Sequence, residues 1–244
     1  MVGMSRDKGG AAAVIGFVAT AAKLGSAVNI KASVALVRNS VGSNGYVADE
    51  IIRSRAGVRV RVGNTDAEGR MVMTDLLARM KEIALSSERP SSARLFTVAT
   101  LTGHALRAYG NYAIAMDNGP AFRNGIAKRL RASGAQLADP FEISRLRRED
   151  FEFVKGSSPR EDLVSSNNLP STLTSRGHQY PMAFMIKASG LDSHSLSSKQ
   201  PLAYTHLDIA ASAELPSKGT IALGRVTGSP LLALSGAFLS RIAK

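Results

Sequence analysis

The chain has 244 residues, 44% of them hydrophobic, which is enough for one α/β domain with a sizeable core. It contains no cysteine, so disulfides and thiolate metal sites are excluded, any bound metal must use oxygen or nitrogen, and a reducing compartment fits. The formal charge of +12 would suit nucleic acid, yet aromatic residues make up only 5% of the chain, which argues for a solvated basic surface instead.

The first residues lead past Gly9-Gly10 into a helix predicted over 11–22. The basic, apolar and small-residue regions of a signal peptide do not follow in order there, no window reaches the roughly 18 apolar residues of a membrane span, and a cytoplasmic chain is expected. Residues 29–37 are mostly apolar and predict a strand buried in a sheet on both faces. A loop at 38–42 follows, and residues 49–54 approach the next strand across a turn at Ala56-Gly57. There Val58, Val60 and Val62 alternate with Arg59 and Arg61, the period-two pattern of a half-buried strand, and Gly63 ends it. Met73, Leu76, Leu77, Met80, Ile83 and Ala84 then recur at three- and four-residue steps, which predicts an amphipathic helix.

After a polar connection containing Pro90, residues 95–99 form another compact apolar strand, ending in Thr100-Leu101-Thr102-Gly103. Residues 112–116 predict a further strand, with Asp117-Asn118-Gly119-Pro120 as the turn before a helix running to about Arg131. Residues 139–175 are rich in Ser, Asn, Pro and charge and predict surface loops with short helical turns. A helix over 181–189 with Pro near its first turn, a last core strand over 203–210 and a C-terminal helix over 231–242 complete the chain. Strands alternating with helices make the fold class α/β, a mixed, largely wound β-sheet flanked by helices on both faces.

The chemistry concentrates in Asn64-Thr65-Asp66-Ala67-Glu68-Gly69-Arg70, two carboxylates and a guanidinium between the valine-rich strand and its helix. Ligands in α/β proteins bind beyond the carboxyl ends of strands. If this stretch is irregular, Asp66 and Glu68 point to one side and can share cations of the Mg, Mn or Zn type. The competing reading is that they cap the helix and complement its dipole. Asp7 could likewise cap the helix after it, and Asp208 could be a buried acid tied to backbone amides. The four histidines, His104, His178, His194 and His206, lack ligand spacing and are expected at the surface or behind a site.

Asn-Thr-Asp-Ala-Glu-Gly-Arg resembles the signature of the leucine aminopeptidase (cytosol aminopeptidase) family of dinuclear metallopeptidases. Further resemblances follow in the family's order: Arg6-Asp7-Lys8-Gly9-Gly10, Asn39-Ser40-Val41-Gly42, Ala99-Thr100-Leu101-Thr102-Gly103 and His206-Leu207-Asp208-Ile209-Ala210. Met4 to Asp7 and Arg145 to Asp150 are similar to its divergent aminopeptidase branch. The resemblance implies one catalytic domain over residues 1–244, cut short at its N-terminus, that removes N-terminal residues from peptides in the cytoplasm as part of a homo-oligomer, a hexamer. It implies two divalent cations, Mn2+ or Zn2+, with Asp7, Asp66 and Glu68 as ligands, and Arg70 as the catalytic arginine that holds a bicarbonate. Met4, Thr100, Leu101, Gly103, Ala210 and Ala213 are implied substrate contacts, and Ala213 stands where typical members carry methionine. The family's lysine ligand, its second bridging aspartate and its catalytic lysine lie upstream of the position matched by Asp7. A non-catalytic subunit or remnant of the same fold, and a basic nucleic-acid-binding protein, are the alternative expectations.

Overall fold

The computed structural model describes residues 4–215 and 225–239. Its largest sheet is built on β3 (Arg94–Ala99), β4 (Ala113–Asp117), β5 (Phe141–Ser144) and β7 (Ala203–Asp208), in the order β3-β7-β4-β5. β3 and β7 run parallel with Ala99 opposite Asp208, β4 and β5 run parallel, and β4 and β7 are antiparallel. A second sheet orders β1 (Ile51–Arg53), β2 (Arg59–Arg61) and β6 (Leu163–Val164), and a short pair joins β8 (Glu214–Leu215) to β9 (Arg225–Val226).

β7 is central, and all six of its residues are buried. Side chains alternate across a strand, so Ala203 and Leu207, followed by Ile209, enter one core while Tyr204, His206 and Asp208 face the other. The first core is shared with helices α1 (Gly9–Lys23), α5 (Ile126–Gln136) and α8 (Leu231–Phe238); the second with α2 (Glu68–Leu85), α6 (Arg148–Phe153) and α7 (Tyr180–Ala188). Helices therefore cover both faces, as the alternating pattern requires. Each fully buried Leu, Met or Phe, such as Leu207, Met185 and Phe184, contributes roughly 1.5–3 kcal/mol of transfer free energy. The close approach of α1 to β3 needs glycine: a Cβ on Gly10 would stand 2.1 Å from the Val98 carbonyl oxygen.

Several sequence expectations change. Residues 29–37 form no strand; they run without regular structure, with Leu36 80% and Val37 66% exposed. An apolar run becomes a strand only when a neighbour takes its backbone hydrogen bonds, and none is placed beside it among the described residues. The helix expected to reach Arg131 is two, α4 (Gly119–Arg123) and α5, broken where Gly125 adopts φ +67°. Residues 139–175 are more ordered than their composition suggests, holding β5, α6 and β6. Buried Asp150 receives Arg176 at 2.7 Å and 2.8 Å, and Asp162 receives Arg59, pinning chain that has few apolar anchors. The last helix ends at Phe238, and the end of its expected span, from 240, lies outside the described residues. Of the two places expected for the histidines, the surface is excluded for His178 and His206, which are buried: His206 Nδ1 lies 2.8 Å from Thr97 Oγ1, and His178 Nε2 lies 2.9 Å from Ser144 Oγ.

Candidate metal and substrate site

The carboxyl ends of β2, β3 and β7 carry the residues singled out in the sequence. After β2, Gly63 closes against the neighbouring chain and Asn64 turns its side chain to accept from the Asp66 amide at 2.9 Å. Asn64 therefore caps the short turn of residues 65–67, and neither Asp66 nor Glu68 caps α2 by its side chain. Glu68 instead accepts from its own amide in the first turn of α2, and Asp66 is exposed. Asp7 likewise does not cap α1, whose N-cap is Lys8 with no side-chain bond; it instead accepts a hydrogen bond from the Thr100 hydroxyl at the end of β3.

Asp7, Asp66, Glu68, Arg70, Thr100 and Leu101 line one cavity of about 1380 Å³, whose wall is completed by α1, α2, β3 and residues 28–37. The carboxylates sense one another there. Burial raises the pKa of Glu68, the charges of Asp66 and Asp7 raise it further, and Arg70 pulls the other way. Like charges gathered on one wall are the condition that a cation relieves, and all the donors are oxygens, the set suited to Mg, Mn or Zn. Among the described residues, however, no three His, Asp or Glu side chains close round a point as a complete metal cage does. The acids present fit part of a metal centre.

Arg70 is almost fully buried. It donates through Nη1 to the Ser165 carbonyl at 3.0 Å, and its guanidinium carbon sits 4.9 Å from the centre of the Tyr180 ring. Burial lowers its pKa, opposed by Tyr180, Asp208 and Glu68, while its Nε has no protein partner. Ser165 and Tyr180 were not legible as site residues, because nothing near them in sequence marks the strand end that brings them to α2. Tyr46 was missed too; burial and the charge of Glu68 both raise its phenol pKa, which places it beside that acid.

The proposed substrate residues divide. Ala213 is buried near the start of α1, where a Cβ on Gly9 would stand 3.1 Å from Ala213 Cβ and 3.2 Å from Thr100 Cγ2. Leu101 packs on α2, since a Cβ on Gly69 would stand 3.0 Å from its Cδ1. Gly103 opens α3 (Gly103–Tyr109), Ala210 is partly buried beyond β7, and Met4 is half exposed on the turn before Asp7; none of these three lines the large cavity.

A helix-covered mixed sheet with a cavity beyond its strand ends, lined in part by carboxylates, defines an α/β domain with a candidate ligand site. The match to known proteins fixes which: residues 1–235 match the model for the cytosol aminopeptidase family, catalytic domain, and the chain belongs to that family. A Caenorhabditis elegans relative that carries an aminopeptidase name is 48% identical over 211 residues, covering 86% of this chain and 40% of that protein. Peptidase B of Serratia proteamaculans is 32% identical over 241 residues, covering 99% of this chain and 50% of that protein. Among solved structures, leucyl aminopeptidase from Trypanosoma brucei in complex with actinonin superposes with a TM-score of 0.75 at 27% identity, over 95% of this chain and 40% of that one. The chain thus spans half or less of the length of these relatives.

Proposed function

We propose that this chain carries the carboxylate half of a metalloaminopeptidase centre and serves the release of N-terminal amino acids from peptides. The observation that supports this reading most directly is that Asp7, far from the other two in sequence, lines the same cavity as Asp66 and Glu68, beside Thr100 and Leu101. Two divalent cations, Mn2+ or Zn2+, held by these three acids would supply Lewis acidity and an activated water. Glu68, between the other two in its electrostatic contacts, is the acid we assign to both ions. Arg70, with an unpaired Nε and a guanidinium dried by Tyr180, is assigned to hold a small anion such as bicarbonate near the reacting carbonyl. Thr100 holds Asp7, and the backbone of residues 100–103 forms one wall for the peptide. The substrate side chain is assigned to a pocket of Met4, Thr100, Gly103, Ala210 and Ala213, where the small Ala213 leaves room for bulk.

A single domain over residues 1–244, in a cytoplasmic homo-oligomer, completes the proposal; no helix of the described residues is long and apolar enough to cross a membrane. The test is metal-dependent release of chromophore from leucine p-nitroanilide with Mn2+ or Zn2+, by this chain and by one lengthened with the preceding segment of its relatives. Release that Glu68→Gln abolishes is expected, and no release from either form overturns the proposal.

One observation favours a second reading, a non-catalytic subunit of the same fold. Three carboxylates that close no cage leave two divalent cations undercompensated. That reading expects fewer than two metals per chain by elemental analysis; tight binding of two overturns it.

A further inference from the structure

The β3–β7 ladder ends where Ala99 faces Asp208, with one last bond from the Ile209 amide to the Ala99 carbonyl at 2.9 Å. Beyond that pair the two backbones part, β3 into residues 100–103 and β7 into residues 210–213. The gap between them is not left to packing. The Asp208 carboxylate, fully buried, reaches into it: Oδ1 accepts from the Leu101 amide and from the Ala210 amide, each at 3.2 Å, and Oδ2 accepts from the Thr102 hydroxyl at 2.7 Å.

We infer that Asp208 is a positioning residue that clamps the two walls of the substrate pocket, residues 100–103 and residues 210–213, in fixed register. This deepens the peptidase reading and rests on it for the word substrate; the clamp itself rests on the hydrogen bonds alone. A neutral side chain could not do the same. A carboxylate is acceptor-only, so every group converging on it can be a donor, whereas an amide must turn its NH2 toward a donor on one side. One oxygen shared by amides from both loops means that neither loop can shift without breaking a bond to a buried charge.

The consequence reaches the acids. Thr100, held at its neighbour Leu101, donates to Asp7, and Leu101 packs against Gly69 next to Glu68. Asp208 therefore sets where the β3 loop meets the acidic wall without touching that wall itself. It also gives a role to a fully buried acid on a strand whose other polar groups bond across to neighbouring strands, as Thr205 does to Asp117 at 2.6 Å and His206 Nδ1 to Thr97.

Three variants separate a clamp from a merely structural acid. Asp208→Asn keeps the size and removes the all-acceptor character, Thr102→Val removes one donor, and Thr102→Ser restores it. Hydrogen exchange should speed up at least about tenfold at Leu101 and Ala210 in Asp208→Asn and at Leu101 in Thr102→Val, with β4 and β5 unchanged and Thr102→Ser like the parent. In the protein form that hydrolyses leucine p-nitroanilide, Asp208→Asn and Thr102→Val should raise KM about tenfold and change kcat less than about threefold. Exchange that rises equally through β4, β5 and β7, or that does not change at Leu101 and Ala210, overturns the clamp. If the parent hydrolyses nothing in any form, the peptidase reading fails, while the exchange pattern still decides the clamp.

Discussion

Glu68 is the residue at which the conflict in the site is concentrated. Its carboxyl is half-buried and faces the negative charges of Asp66 and Asp7, so the folded chain binds a proton there more tightly than the unfolded chain does. Through this group alone, acidification favours folding and ionisation at neutral pH opposes it. Without metal, Glu68→Gln should therefore melt about 2 °C above the parent in a thermal scan at pH 7.5, a small effect for a chain of this size. A lower melting temperature would mean that the acid is stabilised by partners and is not poised for a cation. The buried histidines act in the opposite sense. Burial, with the charges of Arg176 and His104, holds His178 down to about 4, and burial holds His206 down to about 3. The unfolded chain takes up those protons near the ordinary value of roughly 6.5, so stability is lost as pH falls from there toward about 4. Asp208, pushed up to about 6 by burial, leans the other way below that pH, and Glu68 and Asp117, also raised by burial, lean with it, whereas the histidines already act from roughly 6.5 downward. The melting temperature should thus drop between pH 7 and 5. His178→Gln, which can keep the hydrogen bond to Ser144, should flatten the drop, and an unchanged slope would count against this assignment.

At the scale of elements, the sequence was most legible where a period repeats within one element. Val60 and Val62 are buried and Arg59 and Arg61 half-exposed, as the alternation requires, and the stripe from Met73 to Ala84 faces inward along α2. Asp66 and Glu68 were legible for a different reason, that they follow a strand end, whereas Asp7 lies between a short turn and α1 and was singled out only through the family resemblance. Partners far away in sequence were not legible. Ser165 and Tyr180 meet Arg70 only through the β2–β6 pairing, and Asp150 meets Arg176 through α6 and α7. Residues 29–37 show the limit most plainly: their apolar content was read correctly, but a strand is a relation between two segments. Among the described residues β3 has β7 on one side only, and the apolar segment across the cavity exposes Val28, Leu36 and Val37. An unpaired edge beside exposed apolar chain is an aggregation template. Light scattering should show concentration-dependent association of the chain, and Leu36→Lys with Val37→Lys should suppress it while moving the melting temperature by less than about 2 °C, because neither side chain is packed. Association that persists unchanged would place the sticky surface elsewhere.

For the molecule as a whole, internal ion pairs decide where the basic charge is available, not how much of it there is. Arg55 pairs with Glu82, Arg59 with Asp162, and Arg61 with Asp49 and Glu161, so the arginines in and next to β2 are answered by acids of the same chain. Pairs of this kind make that stretch a poor phosphate tracker, while the net charge of +12 is carried elsewhere in the chain. The cavity itself is mixed in charge: Lys8, Lys31, Arg70, Arg89 and Arg94 share its lining with Asp7, Asp66, Glu68 and Glu88, and the negative charges that act on Glu68 are those of Asp66 and Asp7. Long-range repulsion of cations is screened beyond roughly 10 Å at moderate salt, so the local acids decide what binds. A cation that binds the folded chain alone stabilises it by about 1.4 kcal/mol at tenfold excess over its dissociation constant. For a chain of this length that corresponds to a rise of about 3–6 °C in melting temperature. Millimolar Mn2+ should produce such a rise in the parent chain and not in Asp7→Ala or Glu68→Gln, reversing the order of stability between the parent and Glu68→Gln seen without metal. The reversal is the informative part. A rise shared by all three proteins would locate the ion outside the cavity, and no rise in the parent would remove the cation from which the site's chemistry follows.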